Sequence, residues 1–303
     1  RPEGPGVLTG LNAGQEQGGK AGMEALIDIW QHLPSRISPS LFSIGSFELR
    51  YYSLMYLVAF AVVYFLFAFR IKRKEIQLTA ELFQDYLVWA MIGVIVGARI
   101  GYALFYNFGY YIAHPLEIIM PFEFSGGFRF VGLSGMSYHG GLVGVILATA
   151  VFCRRRGLDI WRFGDWVCAA APLGYFFGRL GNFINGELWG RATTVAWGMY
   201  FPLDMTKSLR HPSQLYEALF EGLFLFAVLW SIRRHNPFDG FMIGLYIFGY
   251  GLVRFVIEFF REPDAHLGFV LGFNTMGQML CIAMMAAGAA VMLWRKSASA
   301  GQK

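Results

Sequence analysis

The 303-residue chain is 56% hydrophobic and only 15% charged, with a mean hydropathy of +0.46, a balance that excludes an ordinary soluble domain and predicts a polytopic membrane protein. The net charge of +5 is gathered in short Lys/Arg clusters between apolar runs, so it reads as a topology signal, and no nucleic-acid partner is expected. Cys153, Cys168 and Cys281 lie in or at the ends of apolar segments without metal-ligand spacing, so neither a metal, a cofactor nor a disulfide framework is expected.

In chain order, residues 1–22 are rich in Gly, Gln and Ala, begin without Met and contain no apolar stretch. They read as a disordered extension or a cloning remnant, with Met23 a candidate natural start. Residues 23–46, broken by Pro34 and Pro39, are expected to lie along the membrane interface with a short amphipathic helix. The pattern then predicts an all-α domain of seven transmembrane helices over 47–296, with spans near 47–69, 82–105, 137–153, 160–180, 213–232, 240–260 and 274–294. Gly93, Gly97 and Gly101 recur every four residues in the second span and allow close helix packing. Lys and Arg number 13 in the segments 70–74, 154–162, 233–234 and 295–303, against 5 in the segments 106–136, 181–212 and 261–273. The positive-inside rule therefore predicts an N-out/C-in topology, with 297–303 as a cytoplasmic tail and the polar segment 181–212 as a small extracytoplasmic subdomain. No inverted repeat relates the two halves, which disfavours a transporter built on such repeats.

The densest polar stretch is 178–191, Gly-Arg-Leu-Gly-Asn-Phe-Ile-Asn-Gly-Glu-Leu-Trp-Gly-Arg, directly after an apolar segment. Asn and Gly let the backbone turn tightly, and Arg179 and Arg191 can offer planar guanidinium forks to a phosphate or carboxylate. Arg99 and Arg254 fall roughly six residues from the outer ends of their spans, and His139 and Arg179 lie at outer ends. Four cationic or cationisable groups thus share one layer. That layer describes a positive, partly desolvated site in the outer leaflet, where the abundant anions are lipid phosphates. Tyr52, Tyr102, Tyr106, Tyr250 and Asn182 lie at comparable depth, although each tyrosine singly also fits an aromatic belt.

Arg254 and Glu258 are spaced i,i+4 and can neutralise each other. Glu217 and Glu221 have no basic partner nearby in sequence, so they are expected to pair with arginines on other helices or to face water. Asp165 reads as a helix-packing partner. Imidazole is a side chain suited to acid/base work, and His139 is flanked by Gly140 and Gly141, which admit a substrate closely, so it suits acid/base work or substrate binding. A carrier or receptor for an anionic lipid would use the same layer without making bonds.

These residues carry a resemblance. The stretch Gly178–Arg191 resembles the signature of the bacterial phosphatidylglycerol-prolipoprotein diacylglyceryl transferase family, and four further stretches agree with it in order and spacing. They are Tyr-Tyr-Ser-Leu-Met-Tyr from Tyr51, Gly-Ala-Arg-Ile-Gly-Tyr around Arg99, Met-Ser-Tyr-His-Gly-Gly from Met136, and His-Pro-Ser-Gln-Leu-Tyr-Glu from His211. The segment Gly249–Asp264 completes the match, which covers roughly residues 40–296. The resemblance implies transfer of a diacylglyceryl group from phosphatidylglycerol to the lipobox cysteine of a prolipoprotein signal peptide, with release of glycerol phosphate. It implies that Tyr52, His139, Arg179, Asn182, Gly190 and Arg254 are essential, with Glu187, Glu217 and Glu258 as supporting polar groups. Together with the layer, this makes His139, Arg179 and Arg254 the catalytic candidates. The substrate-binding candidates are Tyr52, Arg99, Asn182, Glu187, Gly190, Tyr250, Glu217 and Glu258. A monomer in the bacterial cytoplasmic (inner) membrane, surrounded by membrane lipids and with its active site toward the outer leaflet, is expected.

Overall fold

A computed structural model describes residues 22–44, 47–118, 122–123, 129–130, 135–262, 269–270 and 274–301. The extension expected over 1–22 lies outside the described residues except for Gly22, and so does much of the connections 106–136 and 261–273. The main helices are α1 (Tyr51–Lys72), α2 (Ala80–Phe105), α3 (Tyr138–Arg156), α4 (Ala171–Ile184), α5 (Ser213–Ile232), α6 (Phe241–Ile257) and α7 (Met276–Ala300). Among the described residues, four of them, α1, α2, α5 and α7, have the length and composition to cross a membrane, and α6 is a shorter apolar helix. The chain is thus a mostly helical membrane protein.

Two expectations are corrected. The fourth span is not one element: a helix over Ile160–Cys168 stops, residues 169–170 turn, and α4 begins at Ala171. Pro172 occupies the first turn of α4, where its missing N–H is harmless, whereas in a continuous helix it would remove a bond and clash with the preceding turn. Residues 23–46 are helical over 22–31 and Leu33–Arg36, but then form a strand, Ser40–Ile44, paired antiparallel with Phe47–Arg50. The first long helix consequently starts at Tyr51, later than the apolar pattern implies.

Contacts divide the chain into two compact units. One comprises Tyr64–Val167 and Arg234–Met242. In it, α2 and α3 pack along a glycine seam: a methyl built on Gly97 would stand 2.6 Å from Gly144 Cα, and one on Gly101 would stand 2.6 Å from Gly140 Cα. The four-residue spacing read from the sequence therefore serves backbone contact between these helices. Because backbone and not a movable side chain opposes it, Gly97→Val is expected to destabilise this pair by about 1–3 kcal/mol. Thermal unfolding in detergent checks this, and an unchanged melting temperature would contradict the seam.

The charges of this unit pair locally. Arg156 meets Asp85 at 2.7 Å, and buried Asp165 accepts hydrogen bonds from Asn236 Nδ2 and the Gly240 N–H, each 2.7 Å. Asp165 thus pins the 236–240 turn, a structural role in keeping with the packing part expected of it.

The other unit comprises Arg1–Val63, Cys168–Arg233 and Ile243–Lys303. Close backbone approach again sets its packing. A methyl on Gly222 of α5 would stand 2.7 Å from Phe176 Cβ of α4, and one on Gly288 of α7 would stand 2.7 Å from the Gly244 carbonyl of α6. The segment after α4 folds over a small core of Phe183, Met199 and Phe201, with Trp189 packed against it. Trp30 and Gln31 tie the N-terminal helix to that segment by donating to the carbonyls of Trp197 and Ala196. Arg210 of that segment joins Asp204 within it at 2.7 Å and Glu262, which follows α6, at 2.9 Å. Burial alone would raise the Asp204 carboxyl, but hydrogen bonds from Arg210 and Thr206 outweigh it and hold the pKa down at about 2.

Candidate active site

The stretch 178–191 forms the last turns of α4 and the loop that leaves it. Residues four apart share a helix face, so α4 stacks Arg179 directly over Tyr175: the guanidinium carbon lies 4.8 Å from the ring centroid, and Nε donates to the tyrosine hydroxyl at 2.7 Å. One turn on, Arg179 Nη1 donates to Asn182 Oδ1 at 3.2 Å, and Asn182 Nδ2 donates to Glu187 Oε1 at 2.8 Å. Asn185 adds a second donor to the same Glu187 oxygen at 3.3 Å. The Arg-Leu-Gly-Asn-Phe-Ile-Asn-Gly-Glu spacing is thus a relay of hydrogen bonds running from a guanidinium to a carboxylate. Tyr52, in the first turn of α1, faces this region: a methyl on Gly181 would come within 2.9 Å of Tyr52 Cδ2, and the Tyr52 hydroxyl pairs with that of Tyr56 at 2.9 Å.

The loop is held by the segment that opens α5. Gln214 donates to the Glu187 carbonyl at 2.6 Å and Ser213 to the Leu188 carbonyl at 3.0 Å, and both side chains are fully buried. Leu188 adopts a left-handed φ of 62°, a strained conformation for a branched residue that these two bonds stabilise. The Gly190 N–H donates to the His211 carbonyl at 2.8 Å, and the Arg191 N–H donates to the Phe260 carbonyl at 2.9 Å. A methyl on Gly190 would stand 3.0 Å from His211 Cβ and closer still to the Phe260 carbonyl. The geometry therefore gives Gly190 a backbone-packing part in joining three segments.

The first eight residues after Tyr216 widen into a π-helical stretch, Glu217–Phe224, of the kind that often marks functional positions. It carries Glu217 and Glu221, both with no exposed surface. Glu217 lies 2.7 Å from Arg179 Nε, 3.2 Å from Arg254 Nη1 and 2.7 Å from Arg261 Nη1. Glu221 lies 3.4 Å from Arg254 Nη1 and accepts a short hydrogen bond from the Tyr175 hydroxyl. The i,i+4 pair foreseen on α6 forms, with Arg254 Nε 3.3 Å from Glu258 Oε2, and Arg261 Nε lies at the same distance from that oxygen. Glu258 also accepts from Thr275 Oγ1 at 3.3 Å, at the N-terminus of α7. Tyr250 sets its ring edge-on to Tyr175, centroids 5.8 Å apart.

Three arginines, Arg179, Arg254 and Arg261, therefore meet three carboxylates, Glu217, Glu221 and Glu258, and leave no net formal charge. This replaces the positive layer expected from the sequence with a balanced network. The reason is desolvation: guanidinium groups only 15–18% exposed, beside carboxylates 0–9% exposed, are stable only when mutually paired. Arg179 and Arg254 are each engaged at Nε and Nη1. Among the described residues, Nη2 of Arg179 and Nη2 of Arg254 donate to none, so both arginines keep an open donor edge for an incoming anion.

Arg99 and His139 belong to the other unit. Arg99 directs its guanidinium to backbone carbonyls, those of Glu117 at 2.7 Å, Ile118 at 2.9 Å and Gly135 at 3.3 Å, and lies 5.1 Å from the Tyr111 ring centroid. That geometry ties down the connection between α2 and α3. His139 is exposed in the first turn of α3, beyond the Ser137 cap, with its ring edge-on to Tyr138. Sequence reasoning leaves Tyr175 and Arg261 out of the site and takes Glu221 only as a pairing group. The available signals were the i,i+4 offset of Tyr175 from Arg179 and the i,i+3 offset of Arg261 from Glu258.

The family model of prolipoprotein diacylglyceryl transferase matches residues 39–294. The chain belongs to this family. It is similar to a phosphatidylglycerol-prolipoprotein diacylglyceryl transferase of Chlorobaculum tepidum, 53% identical over 268 residues, covering 88% of this chain and 93% of that protein. A protein of the same name from Idiomarina loihiensis is 47% identical over 270 residues, covering 89% and 96%, and one from Campylobacter hominis is 41% identical over 261 residues, covering 86% and 91%. Membership makes the chain a transferase enzyme, and the matched range takes in α1 and every residue of the arginine–glutamate network.

Proposed function

We propose that this enzyme transfers the diacylglyceryl group of phosphatidylglycerol to the lipobox cysteine thiol of a prolipoprotein signal peptide. The observation that carries the reading is the pair of arginines, Arg179 and Arg254, each engaged at Nε and Nη1 and open at Nη2. These edges receive the lipid phosphate and take up the charge that gathers on it as the bond breaks, an effect strengthened where water is excluded. His139 keeps the role its motif suggests, acceptor of the peptide thiol proton, since an imidazole can serve as a general base. The thiolate sulfur then attacks the glyceryl carbon bonded to the phosphate ester oxygen. A thioether forms, the carbon–oxygen bond breaks, and its electron pair leaves with glycerol phosphate. Tyr52, Tyr250 and Asn182 orient the headgroup, while Glu187, Glu217 and Glu258 hold the groups that touch it. Gly190 keeps the loop in register, and Arg99 secures the connection between α2 and α3.

In this reading seven segments cross the bacterial inner membrane N-out/C-in, with 181–212 on the extracytoplasmic face, the site toward the outer leaflet, and a monomer as the working unit. The test supplies purified protein with phosphatidylglycerol vesicles and a lipobox peptide, and follows glycerol phosphate alongside peptide mass. Stoichiometric release with a diacylglyceryl mass gain, abolished by a Cys-to-Ser peptide, is expected. Movement of lipid without either product would favour an anionic-lipid carrier instead.

A further inference from the structure

We propose that Tyr175 is a positioning residue for this reaction, holding Arg179 and Glu221 in the one arrangement that leaves both arginine edges open. The inference rests on the proposed role of the arginine pair. The Tyr175 hydroxyl accepts from Arg179 Nε at 2.7 Å and donates to Glu221 Oε2, with the Tyr250 hydroxyl 3.5 Å away. Glu221 reaches Arg254 at 3.4 Å, Arg254 reaches Glu217 at 3.2 Å, and Glu217 returns to Arg179 at 2.7 Å. The five side chains form a closed ring, in which Tyr175 is the only uncharged member and the only link between Arg179 and Glu221 that the ring contains.

The hydroxyl does two things that a phenyl ring does not. It satisfies Nε, so the guanidinium plane is fixed by three contacts: Tyr175, Glu217 and Asn182. It also holds one Glu221 oxygen away from the arginines. Without that donor, a buried carboxylate is short of a partner and turns toward the nearest guanidinium hydrogens, which are those of Arg254. Arg254 is then drawn toward Glu221, and Arg179 loses the bond that fixes its tilt. The ring itself packs beneath Arg179 and edge-on to Tyr250, so Tyr175→Phe keeps the volume and the cation–π contact and removes only the oxygen.

The expected result for Tyr175→Phe is a kcat about tenfold lower, because misplacement of a positioning group acts on the oriented transition state. KM for phosphatidylglycerol should change less than about twofold and the melting temperature should fall by no more than about 4 °C, because the ring keeps its contacts with Arg179 and Tyr250. Adding Glu221→Gln should cost much less in the Tyr175→Phe background than in the wild type, since the two residues act through one bond. Wild-type kcat in Tyr175→Phe, or additive losses in the double variant, would overturn the proposal. So would a fall in kcat that merely tracks a fall in melting temperature. Arg179→Ala measured alongside separates the two levels: an active Arg179→Ala removes the reading of the site itself. An inactive Arg179→Ala with an unaffected Tyr175→Phe removes only the positioning role.

Discussion

Arg179→Ala is expected to lower kcat/KM for diacylglyceryl transfer by about a thousandfold or more, equivalent to roughly 4 kcal/mol of transition-state stabilisation. It joins the arginine–glutamate network to the Asn182–Glu187 relay. Its Nε meets Tyr175 and Glu217, its Nη1 meets Asn182, and its Nη2 is open. Arg179→Lys keeps the charge but not the planar fork, so it cannot bridge Glu217, Asn182 and a phosphate together, and it should recover only a small part of the activity. Release of glycerol phosphate at saturating lipid measures both variants, with a melting curve to establish that they are folded. Activity of Arg179→Ala within about twofold of wild type would contradict the assignment of the anion edge.

Glu217→Ala is expected to be the most destabilising change in the network. The carboxylate has no exposed surface and is the common partner of Arg179, Arg254 and Arg261. Its removal leaves three guanidinium groups facing two carboxylates in a desolvated space, and breaking a buried pair in this way costs about 3–5 kcal/mol. The melting temperature in detergent should fall accordingly, with activity lost as well. The charge count gives a sharper test. Glu217→Ala combined with Arg261→Ala restores the balance at two against two, so the double variant should be more stable than Glu217→Ala alone. A double variant less stable than the single one would show that packing and not charge governs this site.

Part of the arginine–glutamate network was legible in the sequence because the residues of that part are local. Arg179, Asn182 and Glu187 lie within nine positions on one helix end, and i,i+3 and i,i+4 rules alone connect Arg179 to Asn182 and Arg254 to Glu258. The glycine spacing of α2 was equally readable, since a four-residue repeat must fall on one helix face, where it meets the glycines of α3. The break before α4 was missed although Pro172 signals it, because continuous apolar character masks a one-turn interruption. The Ser40–Ile44 hairpin was missed because its pairing partner begins inside the apolar run that announces the first long helix.

By itself, then, the sequence determined a membrane protein, the identity of its polar motifs, the family they belong to and the ion pair along α6. Each of these depends on composition or on residues within a turn or two of one another. Only the tertiary structure decided that the arginines are neutralised, that Glu217 serves three of them, that Arg99 binds backbone carbonyls, and that Tyr175 and Arg261 enter the network. Those outcomes depend on which helix faces meet, such as Gly222 of α5 against Phe176 of α4. A buried charge takes whatever partner that packing brings within reach, because the desolvation it must offset is large and the attraction that offsets it falls off within a few ångströms.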